Sequence, residues 1–576
     1  WLYATVPPYV NQPLQKCHVS WRIAEYLNMA AAAAAERKHE ALRDDQGMSV
    51  SEEDQEANED MPDVHDAAVK IERAKGAYMA YSGLQEKPSK LEIWMWYLYE
   101  MCSHFIVTTV VPVVFPLIIS EIVSKTDDHD DDQGWGQTPR GIACMLREIK
   151  LYDLLTHTSI SKNNLNLSAM EWTSISWAIG LILASPLLGL ISKQLDHGYN
   201  PQLIAGAATT IGSLFCLPVG FIKTPYIFPF YIAAIVASYI VASASHTRQL
   251  GLMVRGYTGP TLKLSQFPTR RGVSGWFSVY ATAAGGLGSA IFSAFTYHML
   301  RNKKDPYDSL WVVSIFSGLK WLVGMLHVVT QRPVAITNTT SSVPKSYFLS
   351  LFKYPYAIAS LIVIFMSSFS STCIFTGGLL FLLGQLCLKP IFFLYFWLIY
   401  FIFPSFSMPL LQPLQHVIKA DAVRMQLLGF LLALLTSGMG FYYKEKNWQR
   451  HHVLLFAAIQ STSAGLLHAF GRVLLLDCTP HGKEGAFSVW HSWVKALGTC
   501  TGFAVASAIR GHVSTAFGVS FLAATIGILI LIFGNISDVG GAMAAGHLYE
   551  DSEKGSPVPG LDTSIIIKEH VYEETA

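Results

Sequence analysis

The segments Ser274-Gly-Trp-Phe-Ser-Val-Tyr280 and Glu484-Gly-Ala-Phe-Ser-Val-Trp490 resemble each other at an offset of 210 residues. The match continues at the same offset to Gly288 and Gly498. Each copy enters the fifth long apolar run of its own half of the chain. A repeat that holds the same place in two successive hydropathy patterns predicts a protein built from two similar halves.

The composition is that of a protein immersed in lipid. Of the 576 residues, 51% are hydrophobic and 14% are charged, and the mean hydropathy is +0.34. Because soluble domains carry about 25% charged residues, this chain lacks the polar surface that water would need. Its formal net charge is zero. It has no basic patch interleaved with aromatic residues, so we expect no nucleic-acid partner.

The apolar runs predict about twelve membrane-spanning helices, since a helix needs roughly 20 apolar residues to cross the hydrocarbon core. The predicted spans are 94–120, 170–192, 201–222, 226–249, 276–299, 309–330, 357–383, 388–412, 424–443, 452–474, 486–509 and 516–535. Trp94, Trp96 and Tyr97 open the first span as an interfacial aromatic anchor. The predicted fold class is an all-α membrane protein with two six-helix halves, and twelve such runs argue against a soluble protein.

The composition of the remaining segments divides the chain around these halves. The predicted domains are a disordered cytosolic tail at 1–92, a first half at 93–330, a cytosolic linker at 331–356, a second half at 357–536 and a cytosolic tail at 537–576. Met29 opens a Met-Ala-Ala-Ala segment that resembles an ordinary translation start, so we expect residues 1–28 to lie upstream of the true protein. Basic residues cluster after the fourth span, which by the positive-inside rule predicts that both termini are cytosolic.

Two stretches carry a more specific resemblance. Trp94-Met-Trp-Tyr-Leu-Tyr-Glu100, running on to Val110-Val-Pro-Val-Val-Phe-Pro116, resembles the opening helix of the vacuole effluxer family, the autophagy-related members of the major facilitator superfamily. Thr479-Pro-His-Gly-Lys-Glu-Gly-Ala-Phe-Ser-Val-Trp490 resembles the stretch before that family's eleventh helix. The resemblance implies the superfamily fold and the export of amino acids from the vacuole lumen to the cytosol by alternating access. It implies the vacuole membrane as the location, with another endomembrane as the alternative.

Ionisable groups inside predicted spans are the candidates for a substrate or coupling site, because such groups are costly in a bilayer. His104 lies one turn after Glu100, where it could relay protons, although a histidine bonded to a neighbouring helix is the plainer interpretation. Lys495 and Lys320 are the cations expected to attract an anionic carboxylate, with snorkelling or pairing as the alternative. The substrate-binding or coupling candidates are Glu100, His104, Lys320, His468, His491 and Lys495.

A second group of charges is predicted to gate the cytosolic side. The resemblance to the superfamily implies that an arginine at the end of the fourth helix, Arg248, pairs with Glu484 at the start of the eleventh, with a plain surface contact as the alternative. Superfamily members usually carry an aspartate four residues after a glycine that follows the second helix, but here Lys193 occupies that place and the aspartate is Asp196. The gate candidates are Asp196, Arg248, Arg472 and Glu484.

Other functions find little support in the sequence. The eight cysteines are scattered, without metal-ligand or redox spacing, and we expect them to be small apolar residues of helices. No catalytic set or cofactor motif appears, so an enzyme is not expected, and neither is a metal or other cofactor. The expected partners are a small solute, the lipid bilayer and protons as a candidate coupling ion, with the protein monomeric. Two alternatives remain: a transporter of a sugar, nucleoside or peptide at a different membrane, and a non-transporting membrane receptor.

Overall fold

A computed structural model describes most of the chain after residue 86. The described ranges are 87–124, 135–137, 143–157, 160–162, 165–198, 200–259, 261–301, 306–330, 347–384, 386–387, 390–418, 420–443, 448–509, 513–534 and 536–549. The predicted tail at 1–86, the first part of the linker and the last 27 residues lie outside these ranges. The prediction that residues 1–28 lie upstream of the true protein also falls outside the described residues.

Helices account for nearly all of the described structure. The twelve long ones, α1 to α12, are Lys90–Ser124, Ala169–His197, Pro201–Cys216, Phe228–Thr258, Phe267–Arg301, Pro306–Val323, Pro355–Gly384, Pro390–Ile418, Ala422–Tyr442, Arg450–Asp477, Glu484–Ala508 and Val513–Phe533. A short α13, Asp538–Ala544, follows α12, and short helical segments lie at Leu146–Thr156, Pro218–Gly220, Pro225–Ile227, Leu264–Gln266, Leu326–Thr330 and Tyr347–Lys353. The strands β1 to β6 are Trp135–Gln137, Ala143–Met145, Ile160–Lys162, Leu165–Leu167, Leu262–Lys263 and Leu548–Tyr549.

Most of the long helices can cross a membrane by length and hydropathy. Among the described residues, eleven meet this criterion, and α11, which carries Glu484 and Lys495, is the long helix that falls short of it. With 25 residues, α11 is still long enough to cross; Lys495 lies in its interior and Glu484 at its start. The protein is therefore an integral multi-pass membrane protein.

The helices pack as two similar bundles. In the first, α4 contacts α2 and α3, while α5 contacts α1; in the second, α10 contacts α8 and α9, while α7 contacts α11 and α12. The bundles meet through α2 against α11 and through α5 against α8. α2 and α8 are the second helices of their halves, and α5 and α11 are the fifth. Both contacts therefore join a second helix to a fifth helix of the other half, as a two-fold relation requires. The predicted fold class, an all-α membrane protein with two six-helix halves, is confirmed.

The internal repeat marks equivalent close contacts in the two halves. A Cβ on Gly288 of α5 would collide with the carbonyl oxygen of Met101 on α1. A Cβ on Gly498 of α11 would lie 2.6 Å from the carbonyl oxygen of Phe365 on α7. Since α1 and α7 are the first helices of their halves, the matched glycines allow the same backbone approach twice.

Helix α1 changes its winding near its middle. Residues Ile106–Val114 form a π-helical segment that contains Pro112. A proline ring clashes with the carbonyl four residues earlier and offers no N–H, so the turn before it widens. The widened turn lies directly after His104 and beside the cavity described below.

The two ends of the bundle differ. We call the end that carries the hairpins β1–β2 and β3–β4 the loop end, and the end that carries α13 and β6 the tail end. At the loop end, a disulfide joins Cys144 of β2 to Cys387 between α7 and α8, with the two Cα atoms 5.9 Å apart. It ties a loop of the first half to a loop of the second. The expectation that all cysteines are small apolar residues of helices is wrong for this pair, because both lie in connections outside the helices.

Candidate functional site

A cavity of about 140 Å³ lies between the two halves near the middle of the bundle. Helices α1, α5, α7, α8, α10 and α11 all contribute to its wall. On α7 the wall is a row of hydroxyl groups, from Ser367, Ser368, Ser371 and Thr372. On α8 it is aromatic, from Tyr400 and Phe401. A cavity with hydroxyl, aromatic and cationic walls is suited to a small polar solute.

Glu100 of α1 is the hub of a buried charge cluster at the tail-end side of this cavity. Its Oε2 atom lies 3.0 Å from Nε2 of His246 on α4 and 3.4 Å from Nη1 of Arg472 on α10. Its Oε1 atom lies 3.0 Å from Nε2 of His468, also on α10. A carboxylate at this depth requires such partners, because an unpaired buried charge is strongly destabilising. One side chain of the first half is thus bound to two of the second.

Lys495 extends the cluster to the cavity wall. Its Nζ atom lies 3.0 Å from Nδ1 of His468, and both residues line the cavity. A chain of contacts therefore runs from Lys495 through His468 to Glu100. With the histidines neutral, Lys495 and Arg472 supply two positive charges against the one negative charge of Glu100, so the cluster has a surplus of positive charge.

Helical spacing explains how these side chains meet. His468 and Arg472 are four residues apart on α10, and so project from the same face toward Glu100. Arg472 is also held by α5, where it donates to the carbonyl oxygen of Ser278 at 3.3 Å and to Oγ1 of Thr282 at 3.2 Å. Arg472 is a gate candidate by its sequence position, but α10 continues to Asp477, which leaves Arg472 inside the bundle.

The remaining predicted pocket residues take different positions. His104 and His491 both line the cavity, and Nδ1 of His104 lies 3.0 Å from Oγ of Ser289. Lys320 does not line it. Instead, Lys320 donates to the carbonyl oxygen of Gly288 at 2.8 Å and lies over the ring of Phe292, 4.3 Å from its centroid. Five of the six candidates therefore belong to the cavity or its cluster, and Lys320 belongs to the packing of α6 against α5.

The tail end is closed by polar contacts between the halves. The carboxylate of Asp196, at the end of α2, accepts from the backbone N–H groups of Gly485 at 2.6 Å and Ala486 at 3.1 Å. These groups form the N-terminus of α11, where a negative charge is stabilised by the helix dipole. Arg248 on α4 lies 3.6 Å from the same carboxylate.

Glu484 forms an ion pair with Arg255, which is not among the gate candidates predicted from the sequence. The apolar run predicted α4 to end near residue 249, whereas the helix continues to Thr258 and brings Arg255 over the start of α11. A second bridge joins Arg270 at the start of α5 to Asp477 at the end of α10, with 3.8 Å between Nε and Oδ1. All four charged groups of these two bridges are at most 5% exposed.

The equivalent position in the other half is uncharged. Gly275 of α5 corresponds to Gly485 of α11 in the repeat, and a Cβ on Gly275 would lie 3.2 Å from Oε1 of Gln415 on α8. Gln415 thus takes the place that Asp196 holds on α2. The two halves share their packing but not their tail-end charges.

No protein-family model and no curated protein matches the sequence. Among solved structures, the chain is similar to one described as the crystal structure of a major facilitator superfamily transporter, FucP, in the outward conformation. That similarity covers 75% of this chain and 99% of the other, with 10% sequence identity and a TM-score of 0.45.

Proposed function

We propose that this protein is a transporter of the major facilitator superfamily that exports small solutes, amino acids among them, from the vacuole lumen to the cytosol by alternating access. The observation that carries the proposal is the cavity between the halves, bordered by the cluster of Glu100, His468 and Lys495. In transporters built from repeats, the substrate binds near the mid-plane where the repeats meet, and the halves rock around it.

The chemistry of the wall supports a zwitterionic solute. The surplus positive charge at Lys495 attracts a carboxylate, and the contact is worth more away from water than at a surface. On the α7 wall of the cavity, the hydroxyl oxygens of Ser367, Ser371 and Thr372 can accept from an ammonium group. Phe401 offers an apolar surface beside them. A small amino acid presents these three kinds of group.

The direction of export is supported by the two ends of the bundle. Disulfides persist in oxidising compartments, so the bond between Cys144 and Cys387 favours the lumen as the location of the loop end. The tail end carries Arg255, Arg270 and Arg271, which favours the cytosol under the positive-inside rule. Because ion pairs close the tail end, a solute would enter the cavity from the lumen.

Flux in proteoliposomes tests this proposal. Purified protein is reconstituted, and uptake of labelled neutral amino acids is measured with and without an imposed pH gradient. Lys495→Met should reduce uptake at least tenfold, because it removes the cation that binds the carboxylate. Lys320→Met is the matched control, since Lys320 is a buried lysine away from the cavity wall, and it should retain uptake per folded molecule.

The possible results separate the alternatives. Flux of a sugar, nucleoside or peptide without amino-acid flux would leave a transporter of another solute. No flux of any substrate in either direction would favour a receptor. A tagged protein found at the plasma membrane would remove the vacuolar assignment and leave the transport measurement unaffected.

A further inference from the structure

We propose that residues 537–549, which we call the C-terminal latch, hold the tail end closed and must leave their site before the tail end opens. The latch comprises α13 and β6 and follows α12 of the second half. It contacts both halves, in the same two regions that carry the gate residues Arg255 and Glu484. The inference rests on alternating access, but its first measurement does not require transport.

The latch is bound to the first half by strand pairing, charge and apolar contact. β6 pairs in parallel with β5 in the connection between α4 and α5, with Leu548 opposite Leu262. Asp538 Oδ2 lies 2.7 Å from Nη2 of Arg271 on α5, and Asp538 is 3% exposed there. Leu262 and Leu548 share a buried apolar cluster with Phe267 of α5 and Ala542 of α13.

The latch is bound to the second half at the connection between α10 and α11. Nε2 of His547 lies 2.8 Å from the carbonyl oxygen of Thr479, and its Nδ1 lies 2.8 Å from Nε2 of His481. Gly541 of α13 lies against Cys478, so closely that a Cβ would collide with the thiol sulfur. A single segment therefore contacts both the α4–α5 connection of the first half and the α10–α11 connection of the second.

Opening of the tail end has to separate these two surfaces. The gate bridges, Arg255 to Glu484 and Arg270 to Asp477, join the same α4–α5 and α10–α11 regions that the latch joins. When the halves move apart, β6 cannot stay paired with β5 while His547 stays bonded to Thr479. The latch then adds its binding free energy to that of the gate in the closed state alone, which is the requirement for biasing a two-state equilibrium.

Cys478 is a native reporter of the latch. It is 1% exposed, and burial raises the pKa of its thiol to about 12, so little thiolate is available while α13 covers it. Release of the latch uncovers the sulfur. Mass spectrometry of peptides separates its alkylation from that of any other cysteine.

The test compares variants of the full chain in nanodiscs, where both ends are accessible to reagent. Asp538→Asn with Leu548→Asp breaks the ion pair and the apolar cluster together, and should raise the alkylation rate of Cys478 at least tenfold. Thr269→Ala, an exposed change on the same end of α5, should leave the rate unchanged. If the double variant does not fold, Arg271→Gln removes the ion pair alone and should still raise the rate severalfold.

A distance measurement then tests whether the tail end opens when the latch is released. Spin labels replace Lys193 on α2 and Arg424 on α9, both exposed at the tail end, in a background with Cys478→Ser. Release of the latch should add longer distances between them. An unchanged alkylation rate overturns the proposal, and so does a raised rate without longer distances, because the segment would then be only a cover. A latch that behaves as described in a protein without amino-acid flux would count against the proposed function alone.

Discussion

Nζ of Lys495 lies 3.0 Å from Nδ1 of His468, and this contact sets the tautomer of a buried imidazole. An ammonium group has only donors, so Nδ1 must accept and the ring proton resides on Nε2. That nitrogen faces Oε1 of Glu100 at 3.0 Å and donates to it. A carboxylate of a bound solute that draws Lys495 away would release Nδ1 of His468. Binding of such a solute would thereby be coupled, through one ring, to the contact between the two halves at Glu100.

The pairing of Glu100 with Arg472 predicts non-additive effects on stability. Glu100→Gln leaves Arg472 buried without its carboxylate, and should lower the free energy of unfolding by about 3–5 kcal/mol. Arg472→Met should cost a similar amount, because Glu100 then loses its permanent cation. In the double variant neither charge remains, so much of the loss should be recovered. Thermal unfolding in detergent measures all four proteins, and additive losses would show that the two charges are not coupled.

The close approach at Gly498 of α11 predicts that adding a single methyl group there lowers the stability of the fold. Gly498→Ala places a Cβ 2.6 Å from the carbonyl oxygen of Phe365, and should destabilise the fold by about 1–3 kcal/mol. Gly378→Ala on α7 is the control, since nothing lies within 4 Å of its Cβ position. Unfolding temperatures of the two variants compare the effects. Equal shifts would mean that α7 and α11 do not approach as closely as described.

The disulfide predicts matched effects of its two cysteines. Its ends are 243 residues apart in sequence, so it restrains a large loop of the unfolded chain. Cys144→Ser or Cys387→Ser should each lower the free energy of unfolding by about 2–4 kcal/mol. The double variant should be no less stable than either single one. Each single variant should also gain one thiol that alkylates without reductant, and the absence of that thiol would refute the bond.

His547 of the latch and its partner His481, in the connection between α10 and α11, predict that acid lowers the stability of the closed tail end. Burial lowers the pKa of His547, and the nearby Arg270 and Arg255 lower it further; burial, Arg255, His547 and Arg270 lower that of His481. Folding therefore favours the neutral rings. The contribution of the two neutral rings to the free energy of unfolding is complete above their ordinary pKa of 6.5 and declines as the pH falls below it. Oε1 of Glu484 lies 3.9 Å from Nδ1 of His481 and favours the protonated ring, but the pKa of His481 is still lowered.

A pH series of unfolding temperatures checks this prediction. Wild type should lose more stability between pH 7.5 and pH 5 than His547→Gln, since the glutamine amide can donate and accept at every pH. The difference between the two proteins isolates the histidine from the other titrating groups. Parallel curves would mean that His547 is not held as the neutral ring.

The repeat and the apolar runs were sufficient to predict the halves, because backbone burial in lipid forces helices and hydropathy shows where they lie. The positions of single side chains were harder to predict. Lys320 and Lys495 both lie inside apolar runs, and nothing in the spacing tells which one faces the cavity. Arg255 was missed because α4 continues beyond its apolar run into the tail end. The partners Cys144 and Cys387 lie in different halves, a distance over which sequence spacing carries no information.

The widened turn of α1 has a consequence for how the cavity binds a ligand. Pro112 supplies no N–H, so the carbonyl one π-turn earlier lacks its usual donor, and Val107 and Thr108 of that turn line the cavity. A main-chain oxygen with spare accepting capacity can receive a hydrogen bond from a solute's ammonium group. Substitution of the side chains around it leaves this acceptor in place. Any role of this oxygen in binding a solute would be measured by replacing Pro112 itself, because that change returns the missing donor.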